Sequence, residues 1–165
     1  MKFPTPNVHN KKQFLVSIEK RFRKEIRVNN LVKARDIIKV YNDGSYKYKV
    51  LRLLLNKIFG DLITIRVINK KHKGCFLPWN ADDEIELFLE QLYNNKKLEK
   101  IGHSYYKKPL LHIIDEELEL YAKFNGIKAR KRKICDLDMI KKSIPNVKFS
   151  LLNSIEEISR LNRSK

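Results

Sequence analysis

The clearest pattern at the start of the chain is an amphipathic one. Over residues 12–31, Phe14, Ile18 and Phe22 recur on one stripe, and basic residues occupy another. Apolar residues spaced by four positions fall on the same face of a helix, so this segment predicts an amphipathic helix with a cationic outer surface.

Residues 36–68 alternate between strand and helix patterns. Residues 36–41 are rich in β-branched side chains and predict a strand, and residues 48–59 predict a helix that ends at Gly60. Residues 62–68 predict a second strand. A strand–helix–strand order predicts a parallel sheet joined by a crossover helix, which places the chain in the α/β class.

A polar turn follows the first predicted strand and contains Asp43, Gly44 and Ser45. Backbone N–H groups at the start of a helix that follows such a turn can bind a phosphate. Few of the residues in this turn are small, so a simple turn is the better interpretation of these residues taken alone.

The central motif of the chain is a short apolar run followed by acids. Residues 75–79 predict a buried strand, and Asn80 is a good N-cap for the helix that follows, with Asp83 at the capping-box position. Ligands of open α/β sheets bind beyond the carboxyl ends of the strands, where Asp82 and Asp83 would lie. The alternative is that the acids Asp82, Asp83 and Glu84 only stabilise the first turn of the helix.

The C-terminal third combines acids, a cationic run and a cysteine. Residues 115–124 predict a helix that ends near Gly126, residues 136–144 a short helix, and residues 154–161 a last helix capped by Ser154. The cationic run contains Lys128, Arg130, Lys131, Arg132 and Lys133. It is either a solvated loop or a grip on a phosphate backbone. Cys135 follows it after one intervening residue, and neighbouring cations favour the reactive thiolate.

Composition narrows the class of protein. The 165 residues suit a single domain, and 36 Lys+Arg against 19 Asp+Glu give a net charge of +17, which suits a polyanionic partner such as nucleic acid. A generally lysine-rich proteome is the alternative explanation. Two cysteines, no apolar run of bilayer length and no signal-peptide pattern predict a cytoplasmic protein without a membrane segment.

The order of these motifs resembles the tRNA 2-thiolation enzymes of the PP-loop ATP pyrophosphatase superfamily, of the archaeal and eukaryotic cytoplasmic type. The resemblance spans about residues 14–161. It is carried by DGSYKY at the phosphate-loop position, PWNADDE, KKPL, DEELELYAKF, a cysteine and IPNVKFSLL. It implies a reduced Rossmann-like fold, with a parallel sheet flanked by helices.

The chain also departs from that family. Residues 43–48 stand where SGGKDS is expected, and only Gly44 clearly agrees. The terminal paired-cysteine zinc modules are missing, and the segment before the central motif is too short to carry the first catalytic cysteine. Cys135 matches the second one.

In the mechanism that the resemblance implies, ATP adenylates the C2 oxygen of a uridine, and sulfur delivered through cysteines displaces AMP. The resemblance assigns Cys135, Asp82 and Asp83 to catalysis, and Asp43, Gly44, Ser45 and Asn80 to nucleotide binding. The cationic run would bind tRNA. With only one matching cysteine and an altered phosphate loop, we expect weakened or lost ATP and magnesium chemistry, no zinc or other metal site, and no iron–sulfur cluster.

The prediction is therefore a shortened, degenerate subunit of wobble-uridine 2-thiolation. It would be non-catalytic or weakly catalytic, and would bind tRNA and a catalytic paralogue. One alternative is an active minimal tRNA-uridine 2-sulfurtransferase, and another is a basic RNA-binding protein that keeps only the fold. Whether the chain is an enzyme stays open at this point.

Overall fold

The computed structural model describes residues 10–94, 103, 105–129 and 147–163. In chain order these residues form α1 (Lys11–Val28), β1 (Ile37–Tyr41), α2 (Tyr46–Phe59), a short 3-10 turn (Gly60–Leu62), β2 (Thr64–Ile68), α3 (Ala81–Tyr93), α4 (Asp115–Phe124) and α5 (Val147–Arg163). Of the helices in these ranges, none is long and apolar enough to cross a bilayer.

The sheet is parallel, as predicted. β1 and β2 pair in register from Ile37 beside Thr64 to Tyr41 beside Ile68. On the other side of β1, the apolar run of the central motif adds a further strand position, because Phe76 bridges Val40 in parallel. Phe76 in turn bridges Lys107. The prediction of an α/β fold with a parallel sheet and flanking helices is confirmed.

The main core lies on one face of this sheet. β1 directs Ile38 and Val40 toward it, and α1, α2 and α4 cover them. Phe14, Ile18 and Phe22 of α1 are fully buried there, as the amphipathic pattern predicts. Phe14 meets Phe124 of α4 edge to face, with ring centroids 5.9 Å apart. Such aromatic pairs add about 0.5–1.5 kcal/mol to the burial term.

A smaller apolar cluster joins α3 to α5. Ile85 and Phe88 of α3 pack with Ile155 of α5, and Leu151 and Ile158 flank them. Because these five residues hold α5 against α3, the C-terminal helix is docked onto the element that follows the central motif.

The start of α5 corrects one prediction. The helix begins at Val147, so Ser154 lies inside it and donates its hydroxyl to the carbonyl of Ser150 at 3.0 Å instead of capping a helix. Lys148, Leu152 and Ile155 are buried at helical spacing, and this buried stripe outweighs the short capping pattern. The helix predicted over residues 136–144 lies outside the described residues.

Candidate functional site

The candidate site is a crevice at the carboxyl end of the sheet. β1 lies between β2 on one side and the strand position of Phe76 on the other. The chain therefore passes from β1 to its neighbour on one side and afterwards to the strand position on the opposite side. Such a switch point opens a crevice between the loops that follow the two neighbouring strands. These loops are the turn over residues 42–45 and the segment that ends at Asn80.

The turn after β1 uses its own side chains to bond its backbone. Asn42 Oδ1 accepts from the N–H of Gly44 and Asp43 Oδ1 from the N–H of Ser45, both at 2.9 Å. Ser45 caps α2 by accepting from the N–H of Tyr48 at 3.2 Å. Gly44 has φ +74°, a conformation that favours glycine. A phosphate that binds to these N–H groups must therefore displace side-chain bonds first.

Lys47 connects this turn to the central motif. Its ammonium lies 2.9 Å from both carboxylate oxygens of Asp83, 2.8 Å from Asp115 Oδ1 and 3.0 Å from Asn80 Oδ1. The side chain of Lys47 is only 12% exposed. The Gly44 turn and Asn80 therefore lie at one crevice, since a residue of the first helical turn after Gly44 bonds Asn80.

Asn80 organises the start of α3 and connects it to α4. It forms the predicted capping box with Asp83, with the backbone N–H of Asp83 donating to Asn80 Oδ1 at 3.2 Å and the N–H of Asn80 donating to Asp83 Oδ2 at 3.0 Å. Its amide also donates to Asp115 Oδ1 at 2.7 Å. Burial raises the pKa of Asp115, although the Lys47 ammonium opposes this rise.

Each of the three acids in the first turn of α3 pairs with a lysine from a different segment. Asp83 pairs with Lys47 of α2, as described above. Asp82 pairs with Lys148 of α5, and Glu84 pairs with Lys108 at 2.7 Å. Lys148 also approaches Glu116 of α4 at 3.3 Å, and Lys108 lies over the Trp79 ring, 5.3 Å from its centre. The acids therefore do more than stabilise one helix end, since they hold four segments together.

Burial makes two of these ion pairs sensitive to loss. The side chains of Lys108 and Glu84 are 2% and 1% exposed, and those of Lys148 and Asp82 are 6% and 3% exposed. Burial lowers the pKa of Lys108, with Glu84 opposing the shift. Removing one partner of such a pair leaves an uncompensated buried charge, which costs about 3–5 kcal/mol.

Asp82 also caps the next helix. Its Oδ2 accepts from the backbone N–H of Asp115, the first residue of α4, at 2.7 Å. The N-termini of α3 and α4 therefore meet at the crevice, and their dipoles favour the carboxylates gathered there.

The predicted site residues divide into two groups. Asp43, Gly44, Ser45, Asn80 and Asp83 lie around the crevice, and Asp82 is buried beneath it against Lys148. Of the predicted RNA-binding residues, Lys128 is exposed at the end of a described range, and the rest of the cationic run lies outside those ranges, as does Cys135. The functional roles of all of these residues stay predictions.

The cations of the site were not predicted from the sequence. Lys47, Lys108 and Lys148 were not singled out, and Asp115 was assigned only to a helix end. A signal was available for two of them, because Lys108 lies in KKPL and Lys148 in IPNVKFSLL, two of the motifs that carry the resemblance. A lysine inside a short apolar motif is a candidate for a buried ion pair.

Comparison with known proteins supports the fold. No family model matches the chain, and no curated protein matches it. Among solved structures, the U34-tRNA thiolase NcsA from Methanococcus maripaludis, described with its [4Fe-4S] cluster, is similar with a TM-score of 0.72. The sequences are 14% identical, and the match covers 92% of this chain and 80% of that one. This similarity shows that the two chains share a fold. The neighbour is thus a protein of the class that the motif order resembles.

This comparison corrects the cofactor prediction. We expected no iron–sulfur cluster, and that expectation is wrong as a statement about this fold, because the neighbour is described with a [4Fe-4S] cluster. The expectation rested on counting cysteines against the family pattern, which does not consider ligands from outside that pattern. Cys75 is the one cysteine in the described ranges and is fully buried, and no group of three potential metal ligands comes together there. Those residues by themselves do not form a cluster site.

Proposed function

We propose that this chain is a component of tRNA wobble-uridine 2-thiolation, acting as a non-catalytic or weakly catalytic subunit built as one reduced domain. It binds tRNA and works with a catalytic paralogue. The observation that carries the proposal is the convergence of the motifs. Within a fold shared with a tRNA thiolase, segments containing DGSYKY, NADDE, KKPL and KFS meet at one switch-point crevice.

The contents of the crevice support weak rather than full catalysis. The Lys47 ammonium lies among the oxygens of Asp83, Asp115 and Asn80, where it neutralises the carboxylates that would otherwise be open to a ligand. The turn of residues 42–45 bonds its own N–H groups. Electrostatic stabilisation by such groups is usually the largest catalytic term, and here they already bond each other.

The charge of the outer surface supports tRNA as the partner. α1 exposes Lys20, Arg23, Lys24 and Arg27 on the side away from the core, and Lys128 is exposed as well. A cluster of exposed cations on one helix is the electrostatic footprint of a nucleic-acid-binding protein. With the cationic run that follows Lys128, these residues form the proposed tRNA-facing surface.

The decisive experiment is mass spectrometry of tRNA nucleosides from cells depleted of this protein, with affinity purification of the tagged chain. The proposal expects a loss of 2-thiouridine at the wobble position and co-purification of a catalytic paralogue. Normal 2-thiouridine levels after depletion would refute the role in thiolation.

A second assay separates the subunit from the enzyme. The similarity to a thiolase over 80% of that protein favours an active sulfurtransferase as the second candidate. The purified chain is incubated with a tRNA transcript, ATP and sulfide, with and without the paralogue. Thiolation that requires the paralogue supports the subunit, whereas thiolation by the chain alone supports the enzyme. In the enzyme case Cys135→Ser abolishes activity, and in the subunit case it leaves thiolation intact.

A further inference from the structure

The connection from β2 to the next strand position is unusually short. Parallel strands normally require a crossover of a dozen or more residues, usually a helix. Here six residues, 69–74, lead from Ile68 at the carboxyl end of β2 to Cys75, on the far side of β1. Because the two strands run in the same direction, this segment, which we call the strap, must return across β1.

Contacts place the strap over the sheet face that carries Tyr41. The ammonium of Lys71 lies over the Tyr41 ring, 5.2 Å from its centre. His72, Lys73 and Gly74 line a cavity of about 220 Å³ whose other walls include residues of β1. The strap therefore occupies the position in which a crossover helix would normally cover the sheet, but it is too small to do so.

The sheet face under the strap is consequently open in the described part of the chain. Ile37 is 60% exposed, whereas Ile38 and Val40 on the other face are buried. By the register of the two strands, the open face consists of Ile37, Lys39, Tyr41, Thr64, Arg66 and Ile68. Parallel sheets usually have both faces covered, so this face is available to a partner.

The charge of this surface is almost entirely positive. Lys39 and Arg66 lie side by side in register on the open face, although like charges repel at such spacing. The strap adds its own cations, Lys70, Lys71 and Lys73. Among the described residues, no carboxylate pairs with any of these five side chains, in contrast to the lysines of the crevice. The acid at the rim of the cavity is Asp36, whose Oδ2 already accepts from the backbone N–H of Lys33 at 2.7 Å.

We propose that the open face and the strap form an RNA-binding surface, separate from the one on α1 and the run after Lys128. RNA is favoured as the partner because the clustered cations can bind its phosphate backbone, and the neighbouring aromatic ring can stack on its bases. Lys39, Arg66, Lys71 and Lys73 contact phosphates, and Tyr41 with Ile37 provides the stacking surface. This inference rests on the proposed function in taking tRNA as the partner.

The test measures the salt dependence of tRNA binding by the full chain. The probe is a fluorescein-labelled tRNA transcript, followed by fluorescence anisotropy between 50 and 200 mM KCl. Lys39→Gln with Arg66→Gln should reduce the slope of log K against log salt by about 1.5, and weaken binding about tenfold at 100 mM salt. Adding Lys71→Gln and Lys73→Gln should extend the slope change to about 3.

A matched control is available on α2. Lys49→Gln with Arg52→Gln removes the same two residue types from an exposed helix surface on the other side of the sheet. This variant should leave the slope within error. Far-UV circular dichroism confirms that the variants, all at exposed positions, keep the fold.

The outcomes separate this inference from the proposed function. If the control and the open-face variants bind equally, the open face is not an RNA surface, whereas loss of binding on neutralising residues 130–133 alone keeps the proposed function intact. If the wild type shows no salt-dependent binding of tRNA, both proposals fail. Equally tight binding of polyglutamate at matched charge would also overturn RNA as the occupant.

Discussion

The ion pair between Lys47 and the carboxylates of the crevice gives the sharpest prediction about this molecule. We expect Lys47→Met to destabilise the fold by about 3–5 kcal/mol at pH 7.5, since removing one partner leaves buried charges uncompensated. The side chains involved are 12% exposed for Lys47, 18% for Asp83 and 9% for Asp115, so solvent screens them little.

The pH dependence distinguishes this electrostatic cost from a loss of packing. Burial raises the pKa of Asp115 and the Lys47 ammonium lowers it, so removing Lys47 raises this pKa further. A carboxyl whose pKa is higher in the folded state binds its proton more tightly there, so stability rises as the pH falls toward its unfolded pKa of about 3.9. The deficit of Lys47→Met should therefore be clearly smaller at pH 5.5 than at pH 7.5.

The assay is urea unfolding followed by the fluorescence of Trp79, the single tryptophan of the chain. Its indole N–H donates to Glu84 at 2.7 Å, so it reports directly on the site. Lys49→Met, at an exposed position of the same helix, is the control and should change stability by less than about 0.5 kcal/mol. Adding Asp115→Asn to Lys47→Met should recover about 1 kcal/mol or more. An equal deficit at both pH values, or no recovery in the double variant, would refute the argument.

Two further predictions concern the ion pairs around the main core and α5. Burial raises the pKa of Glu25, but hydrogen bonds from His103 and His112 outweigh this and lower the pKa to about 2. Glu25→Gln should therefore lower the free energy of unfolding by about 3 kcal/mol at pH 6, and this loss should shrink as the pH falls from 4.5 toward 2. Urea titrations of both proteins measure the difference. A difference at pH 2.5 as large as at pH 6 would contradict the prediction. Lys148→Met should remove the partner of Asp82 and so release α5 from α3. Amide hydrogen exchange should then be faster in α5 than in α1. Equal protection of the two helices would show that the apolar contacts alone hold α5 in place.

The sequence predicted the helices with a repeated apolar stripe correctly, as well as the two short strands β1 and β2. α1, α3 and α4 were placed within a few residues, and the cap at Asn80 and the end of α2 at Gly60 were placed correctly. Such helices can be predicted because the apolar residues that become buried repeat within the local sequence. α5 was placed wrongly at its start, because a four-residue capping pattern was given more weight than the buried stripe that begins about two turns earlier.

The site was predictable in outline but not in its partners. Strand order brought the Gly44 turn and Asn80 to one crevice, and this follows from the parallel connection alone. The pairing of Lys47, Lys108 and Lys148 with three successive acids depends on how α2, the 107–110 segment and α5 pack. Sequence separations of 24–66 residues between these partners carry no local signal of that packing.

The many charged side chains at the crevice indicate that their exact positions matter more than the stability that they contribute. A junction of four segments could be filled by apolar side chains with equal or greater stability, because desolvation of buried ions offsets much of their attraction. This chain instead holds Asp82, Asp83, Glu84 and Asp115 at fixed positions with buried lysines. Lys47 differs from Lys108 and Lys148 because its carboxylate partner Asp83 is the more exposed of the three first-turn acids. The Lys47 ammonium is therefore the cation that an incoming ligand would meet first, and its displacement would leave a set of preorganised carboxylates at the switch point of the fold.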